Sequence, residues 1–256
     1  MHSSRLVRVA ALAALAGTVL LPLTASAASL NLIEYASTWR VLDDGTNQTP
    51  AALPATNHFA SPAYVENVSW RSETIQPNKV LGYGDNTRAN FPTQEPNLHF
   101  SPTNALPNTN KYITTYFRRS FDVTSASSVS SLVLNLRRDD GVVVYLNGVE
   151  VARSNMDPGT VTYTTFAPTI VDGAAEYTPV AVNIPTTGLV NGQNVLAIEL
   201  HQRDGTSSDI SFAAQLVATT LDPEIPEAPM TVLLPLVAAA GFGGLTFVQR
   251  RRTARA

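Results

Sequence analysis

The sequence predicts an all-β domain, an antiparallel sandwich or barrel, set between two apolar ends. Three observations lead there. The stretch between the ends is rich in Thr, Val, Asn and Ser, and clusters of Gly, Pro, Asn and Asp punctuate it at intervals of about 8–12 residues. Between the clusters lie short runs in which apolar and polar residues alternate, the period of a half-buried strand. Outside the ends, no long segment carries apolar residues at i, i+3, i+4 and i+7, so long helices are not expected there.

Taken in order, Arg5 and Arg8 precede an apolar run from Val9 to Leu23, and Ala25-Ser26-Ala27 supplies the small residues a signal peptidase accepts. Residues 1–27 therefore read as a secretory signal peptide, a signal helix ahead of a mature domain at 28–221. Leu30–Leu42 reads as the first strand. Residues 43–110 are rich in proline, Asn and Thr, with aromatics scattered among polar residues. A structureless loop of that length is improbable in a compact domain, so a short strand or two is expected here, Lys79–Tyr83 being one. The clearest alternating runs follow at Ile113–Val123, Ser131–Arg137, Val142–Leu146, Val149–Ala152, Val161–Phe166, Tyr177–Ile184, Asn194–Gln202 and Ile210–Ala218. Asn147-Gly148, between two of them, is the pair that best tolerates the positive φ angles of a type I′ hairpin turn. In Asn194–His201 the side chains of Leu196, Ile198 and Leu200 should enter the core, while Val195, Ala197, Glu199 and His201 line the outer or concave face.

Asp222 to Pro229 reads as a stiff Pro-rich spacer, 222–229. Met230 to Val248 is a 19-residue stretch without a charge, followed by Arg250, Arg251 and Arg252. That is long enough for a transmembrane helix at 230–248, with 249–256 as a basic cytoplasmic tail. The middle of the chain is thus expected outside the cell, at the surface or envelope, membrane-anchored by the C-terminal helix.

The chain has no cysteine, which fits a bacterial-type export product whose core needs no disulfide. Two of the 17 Lys+Arg lie in the leader and four in the tail, leaving 11 against 20 Asp+Glu, so the exported part is near −9. Such a surface disfavours phosphate backbones and anionic lipids, and nucleic acid is not an expected partner.

Several motifs recur in a familiar order: Trp39, Leu42-Asp-Asp-Gly45, Leu81-Gly-Tyr-Gly-Asp85, Tyr116-Phe-Arg-Arg-Ser-Phe121, Arg138-Asp-Asp-Gly141, Val144-Tyr-Leu-Asn-Gly148, Asn194 to Gln202, and Ser208-Asp-Ile-Ser-Phe212. Over about 30–219 the chain resembles the galactose-binding-like β-jelly-roll modules of bacterial exported and cell-surface proteins. The resemblance implies a jelly-roll β-sandwich with a non-catalytic, usually carbohydrate-related role, and it names no ligand. The tail resembles a family of bacterial sorting signals in which a Pro-Glu-Pro motif precedes a membrane span and an Arg cluster, implying envelope protein-sorting machinery as a partner. Here the counterpart, Pro226-Glu-Ala-Pro229, is one residue longer.

Motifs for nucleophilic or transition-metal chemistry are missing: no Gly-x-Ser-x-Gly, no His-Glu-x-x-His, no phosphate-binding loop, no EF-hand spacing. No cofactor is expected with certainty. Asp139 and Asp140, where one strand ends and the next begins, could supply oxygen ligands to a structural calcium ion. The alternative is a tight turn, with the Asp side chains bonding the backbone and pairing with Arg137 or Arg138, and it is the favoured reading. Glu199 and His201, two apart on one strand face, could bind a sugar hydroxyl, or bond neighbouring strands with Arg118 as counter-charge to Glu199. Trp39, Trp70, Tyr83, Tyr112, Tyr116 and Tyr145 could stack on a pyranose or fill the core. Trp39 and Tyr145 belong to strong strand patterns and are expected in the core or at its edge. Trp70 and Tyr83, in the irregular region, are the better ligand candidates, and Asp85 could add a polar contact or a calcium ligand. The expectation is a non-catalytic surface module binding glycan or cell-wall polysaccharide, the alternative a structural or adhesive envelope protein, with an accessory role in a hydrolase system a minor third.

Overall fold

The computed structural model describes residues 27–48, 58–84, 94–95, 98–99 and 110–221, within one compact unit, Ser26–Pro223. The predicted spacer, membrane span and basic tail, the leader up to residue 26, and Asp85 lie outside the described residues. Among the described residues no helix is long and apolar enough to cross a membrane.

Strand alternation builds two layers. The strands are β1 (Ala27–Ile33), β2 (Thr38–Leu42), β3 (Arg71–Thr74), β4 (Val80–Tyr83), β5 (Gln94–Glu95), β6 (Thr114–Val123), β7 (Val129–Asp139), β8 (Gly141–Leu146), β9 (Val149–Ser154), β10 (Val180–Ile184), β11 (Gly192–His201) and β12 (Ile210–Leu221), with one helical turn, α1 (Ala174–Tyr177), before β10. The first sheet runs β10-β7-β12-β4-β5, with β1 also on β12, and the second runs β3-β2-β6-β11-β8-β9. Every described pairing is antiparallel except the short β4–β5 pair. The peptide between Asp139 and Asp140 is cis.

The sheets meet over one apolar core. Phe117 of β6 stacks on Phe212 of β12 with centroids 3.9 Å apart, and Trp39 of β2 sets its edge against Phe212 at 5.1 Å. These three fully buried rings join both layers, each worth about 1.5–3 kcal/mol from burial. Leu196, Ile198 and Leu200 enter the same core, as their alternation predicts.

The hairpin is also as predicted: Asn147 (φ 51°) and Gly148 (φ 88°) turn β8 into β9. Asn147 does more than turn. Its Nδ2 donates to the Gly188 carbonyl and to Asn194 Oδ1, each at 2.8 Å, and its Oδ1 accepts from the Val195 amide at 2.8 Å.

Two strand expectations are corrected. Leu30–Leu42 is not one strand: β1 lies in the first sheet and β2 in the second, and the chain changes layer through residues 34–37, where the Ser37 amide donates to the Tyr35 carbonyl. Val161–Phe166 is a loop. There the Thr162 amide donates to Thr165 Oγ1 and the Thr165 amide to the Thr162 carbonyl, both at 2.9 Å, local bonds that compete with strand pairing.

Candidate functional site

The outer face of the second sheet is not open. Ala197, Val143, Tyr145, Tyr116 and Leu42 on that face form a second core with Phe59, Ala60 and Trp70, and Met156, Val161 and Tyr163 pack against it. Two arginines hold the covering segment down. Arg40 and Arg118 face each other across β2–β6, and Glu66 reaches both, at 2.6 Å from Arg40 Nε and 3.3 Å from Arg118 Nε. Arg40 also donates to the Trp70 carbonyl at 2.7 Å.

Glu199 and His201 lie under this cover, both fully buried. Tyr145 donates its hydroxyl to Glu199 Oε1, and His201 Nε2 lies 3.5 Å from Glu199 Oε2. His201 Nδ1 is 2.8 Å from the Thr165 carbonyl, which can only accept, so this nitrogen carries a proton. Arg118 is not the counter-charge of Glu199: the register sets it opposite Ala197, and its charge goes to Glu66. The pair therefore ties strands and loops together rather than facing solvent. Trp70, one of the two better candidates for a ligand contact, is 4% exposed and bonds Tyr64 Oη through its indole at 3.2 Å. Tyr83, 8% exposed, accepts from Gln202 Nε2 at 2.6 Å. Burial first, then the charges of Asp139 and Asp209, raises its phenol above the ordinary value.

Asp139 and Asp140 part company. Asp140, fully buried, accepts from the Val171 amide at 2.8 Å and the Arg203 amide at 2.7 Å, one per carboxylate oxygen. The backbone-bonding alternative thus describes Asp140, though the amides come from distant loops rather than its own turn. Asp139 instead joins Glu176 of α1 and Asp209, just before β12, in a buried group whose ligand oxygens all lie within 4.8 Å of one another. Burial, then the hydrogen bond with Asp140 and its charge, then the charges of Asp209 and Glu176, pushes the Asp139 carboxyl up to about 10. Gly84 (φ 104°) lets the Asp209 loop approach, since a Cβ there would come within 2.5 Å of Asp209 Cβ. Of this group the sequence marked Asp139. Asp209 stood in a quoted motif without an assigned role, and Glu176 carried no signal, because only the fold carries α1 onto β7.

Of the six aromatics considered for stacking, five are buried: Trp39, Trp70, Tyr83, Tyr116 and Tyr145. Tyr112 keeps part of its surface in solvent. Its ring lies against Gly45, and the charges of Asp44 and Asp43, after burial, raise its phenol. Tyr163, partly exposed, is within electrostatic reach of both Tyr112 and Asp44. Asp43 is held from behind by Arg71, with His99 Nδ1 at 3.5 Å.

No protein-family model and no curated protein matches the chain. Solved structures similar to it include a β-glucuronidase from Bacteroides uniformis (16% identity, 75% of this chain and 18% of that chain, TM-score 0.42). Others are a β-glucuronidase from an uncultured Clostridium species (13%, 80% and 31%, TM-score 0.40) and a β-D-mannosidase from Dictyoglomus thermophilum (14%, 68% and 16%, TM-score 0.33). The chain spans less than a third of the length of these enzymes, and the likeness says nothing of activity here.

Proposed function

We propose that this is an exported, non-catalytic jelly-roll module of the galactose-binding-like kind, held at the bacterial envelope by its C-terminal segment. In this reading it binds glycan or cell-wall polysaccharide at the loop end that carries Tyr112. The observation behind the proposal is that partly exposed tyrosine, with Tyr163 and Asp44 beside it. Apolar ring faces suit the C–H face of a pyranose, and a carboxylate accepts from its hydroxyls. A catalytic role has less support. A glycosidase sets two carboxylates across the scissile bond, whereas Glu199 is sealed between Tyr145 and His201.

The test is a glycan array probed with the full-length protein. Binding to at least one polysaccharide is expected, weakened about tenfold or more by Tyr112→Ala or Tyr163→Ala. Silence across broad panels would overturn it. A purely structural or adhesive role is the second reading, favoured by the burial of Trp70, Tyr83, Glu199 and His201, and that silence is its expected outcome. The export arm has its own check: the protein should fractionate with the envelope, its leader removed, and cytosolic recovery with the leader intact would refute it. The sorting machinery recognising 226–229 and the basic tail would be the further partner.

A further inference from the structure

We propose that Asp139, Glu176 and Asp209 form a binding site for one calcium ion, which ties the end of β7, the turn α1 and the entry to β12 together. The three side chains are buried, and their oxygens lie within 4.8 Å of one another. That spacing suits oxygens sharing one hard cation, since ligands at about 2.3–2.6 Å from calcium sit within roughly 5 Å of each other.

A second observation comes from outside the carboxylates. Ser211 is the cross-strand partner of Asp139 in the β7–β12 ladder, so the two side chains share a sheet face. Ser211 is fully buried, and its hydroxyl has no hydrogen-bond partner among the described residues. On its other side it pairs with Gly82, which has no side chain to fill the space. Asp139 Oδ2, on a residue 2% exposed, likewise has no hydrogen-bond partner among the described residues. Buried oxygens without a donor are costly, and a cation satisfies several at once.

Calcium fits better than magnesium because the donors come from separate chain segments. It accepts 6–8 oxygens in flexible geometry, while magnesium demands a near-ideal octahedron. The assignment is independent of the glycan reading.

The experiment uses the full chain stripped of metal with EDTA and titrated with calcium chloride, followed by calorimetry and thermal melting. One ion per chain is expected, with Tm raised by roughly 5 °C or more at saturation. Asp139→Asn and Glu176→Gln should each weaken binding about tenfold or more. In EDTA, Asp139→Asn should melt no lower than the unsubstituted protein, because the amide keeps the shape of a carboxyl that Asp140, Asp209 and Glu176 crowd, and that separates loss of the ion from loss of the fold. Absence of calcium heat together with an unchanged melt would overturn the site. Full calcium affinity surviving in both variants would overturn its placement.

Discussion

Asp139 and Asp140 are adjacent in the chain and bind in different directions. Asp139 groups with Glu176 and Asp209, whereas Asp140 gives one carboxylate oxygen to the Val171 amide and the other to the Arg203 amide. A carboxyl whose two oxygens each accept from buried backbone cannot be replaced isosterically without loss. In Asp140→Asn the new amide would point a donor at a backbone donor, a loss of about 2–3 kcal/mol, or a Tm lower by roughly 4–12 °C. Thermal melting in EDTA checks this, and a melt no lower than that of Asp139→Asn would contradict it.

Tyr145→Phe leaves Glu199 Oε1 without its hydroxyl donor inside a sealed face. A loss of about 1–3 kcal/mol is expected, read as a lower urea midpoint with unchanged slope. Glycan binding measured below the transition should not change, since the pair is covered. A selective loss of binding without loss of stability would mean that Glu199 touches ligand.

His58 supplies a pH dependence. Its ring is buried against Phe59 and Tyr145, with Nδ1 accepting from the Ala60 amide at 3.2 Å. Burial first, then Arg118, lowers its pKa to about 4, against the opposing charge of Glu199. The unfolded chain thus takes up a proton that the folded chain refuses. The stabilisation is whole above pH about 6.5, and falls as pH drops toward 4, by at most about 3 kcal/mol. His58→Asn, which keeps an acceptor for Ala60, should flatten stability against pH in that window. An unchanged slope would count against it.

Asn147→Ala should be the most damaging change in the hairpin. It removes a residue that tolerates positive φ and three hydrogen bonds that join the turn to Gly188, Asn194 and Val195. About 2–4 kcal/mol is expected, measured by chemical denaturation. A loss under about 0.5 kcal/mol, the range of an ordinary surface change, would show the network to be dispensable.

The sequence by itself determined the all-β class, most of the strands from Ile113 onward, the Asn147-Gly148 turn and the inward set Leu196, Ile198 and Leu200, because period-two alternation and turn chemistry are local properties that survive in one dimension. Tertiary structure alone decided that the outward set is covered too. Arg40, Arg118 and Glu66 come from three separate stretches and meet only once β2 pairs with β6, so alternation could say which way Glu199 points but not what lies over it. The same holds for Glu176, brought to Asp139 by a loop whose path no local pattern encodes. Which oxygens share a buried space depends on contacts between segments far apart in the chain, and those exist only after the two sheets have closed.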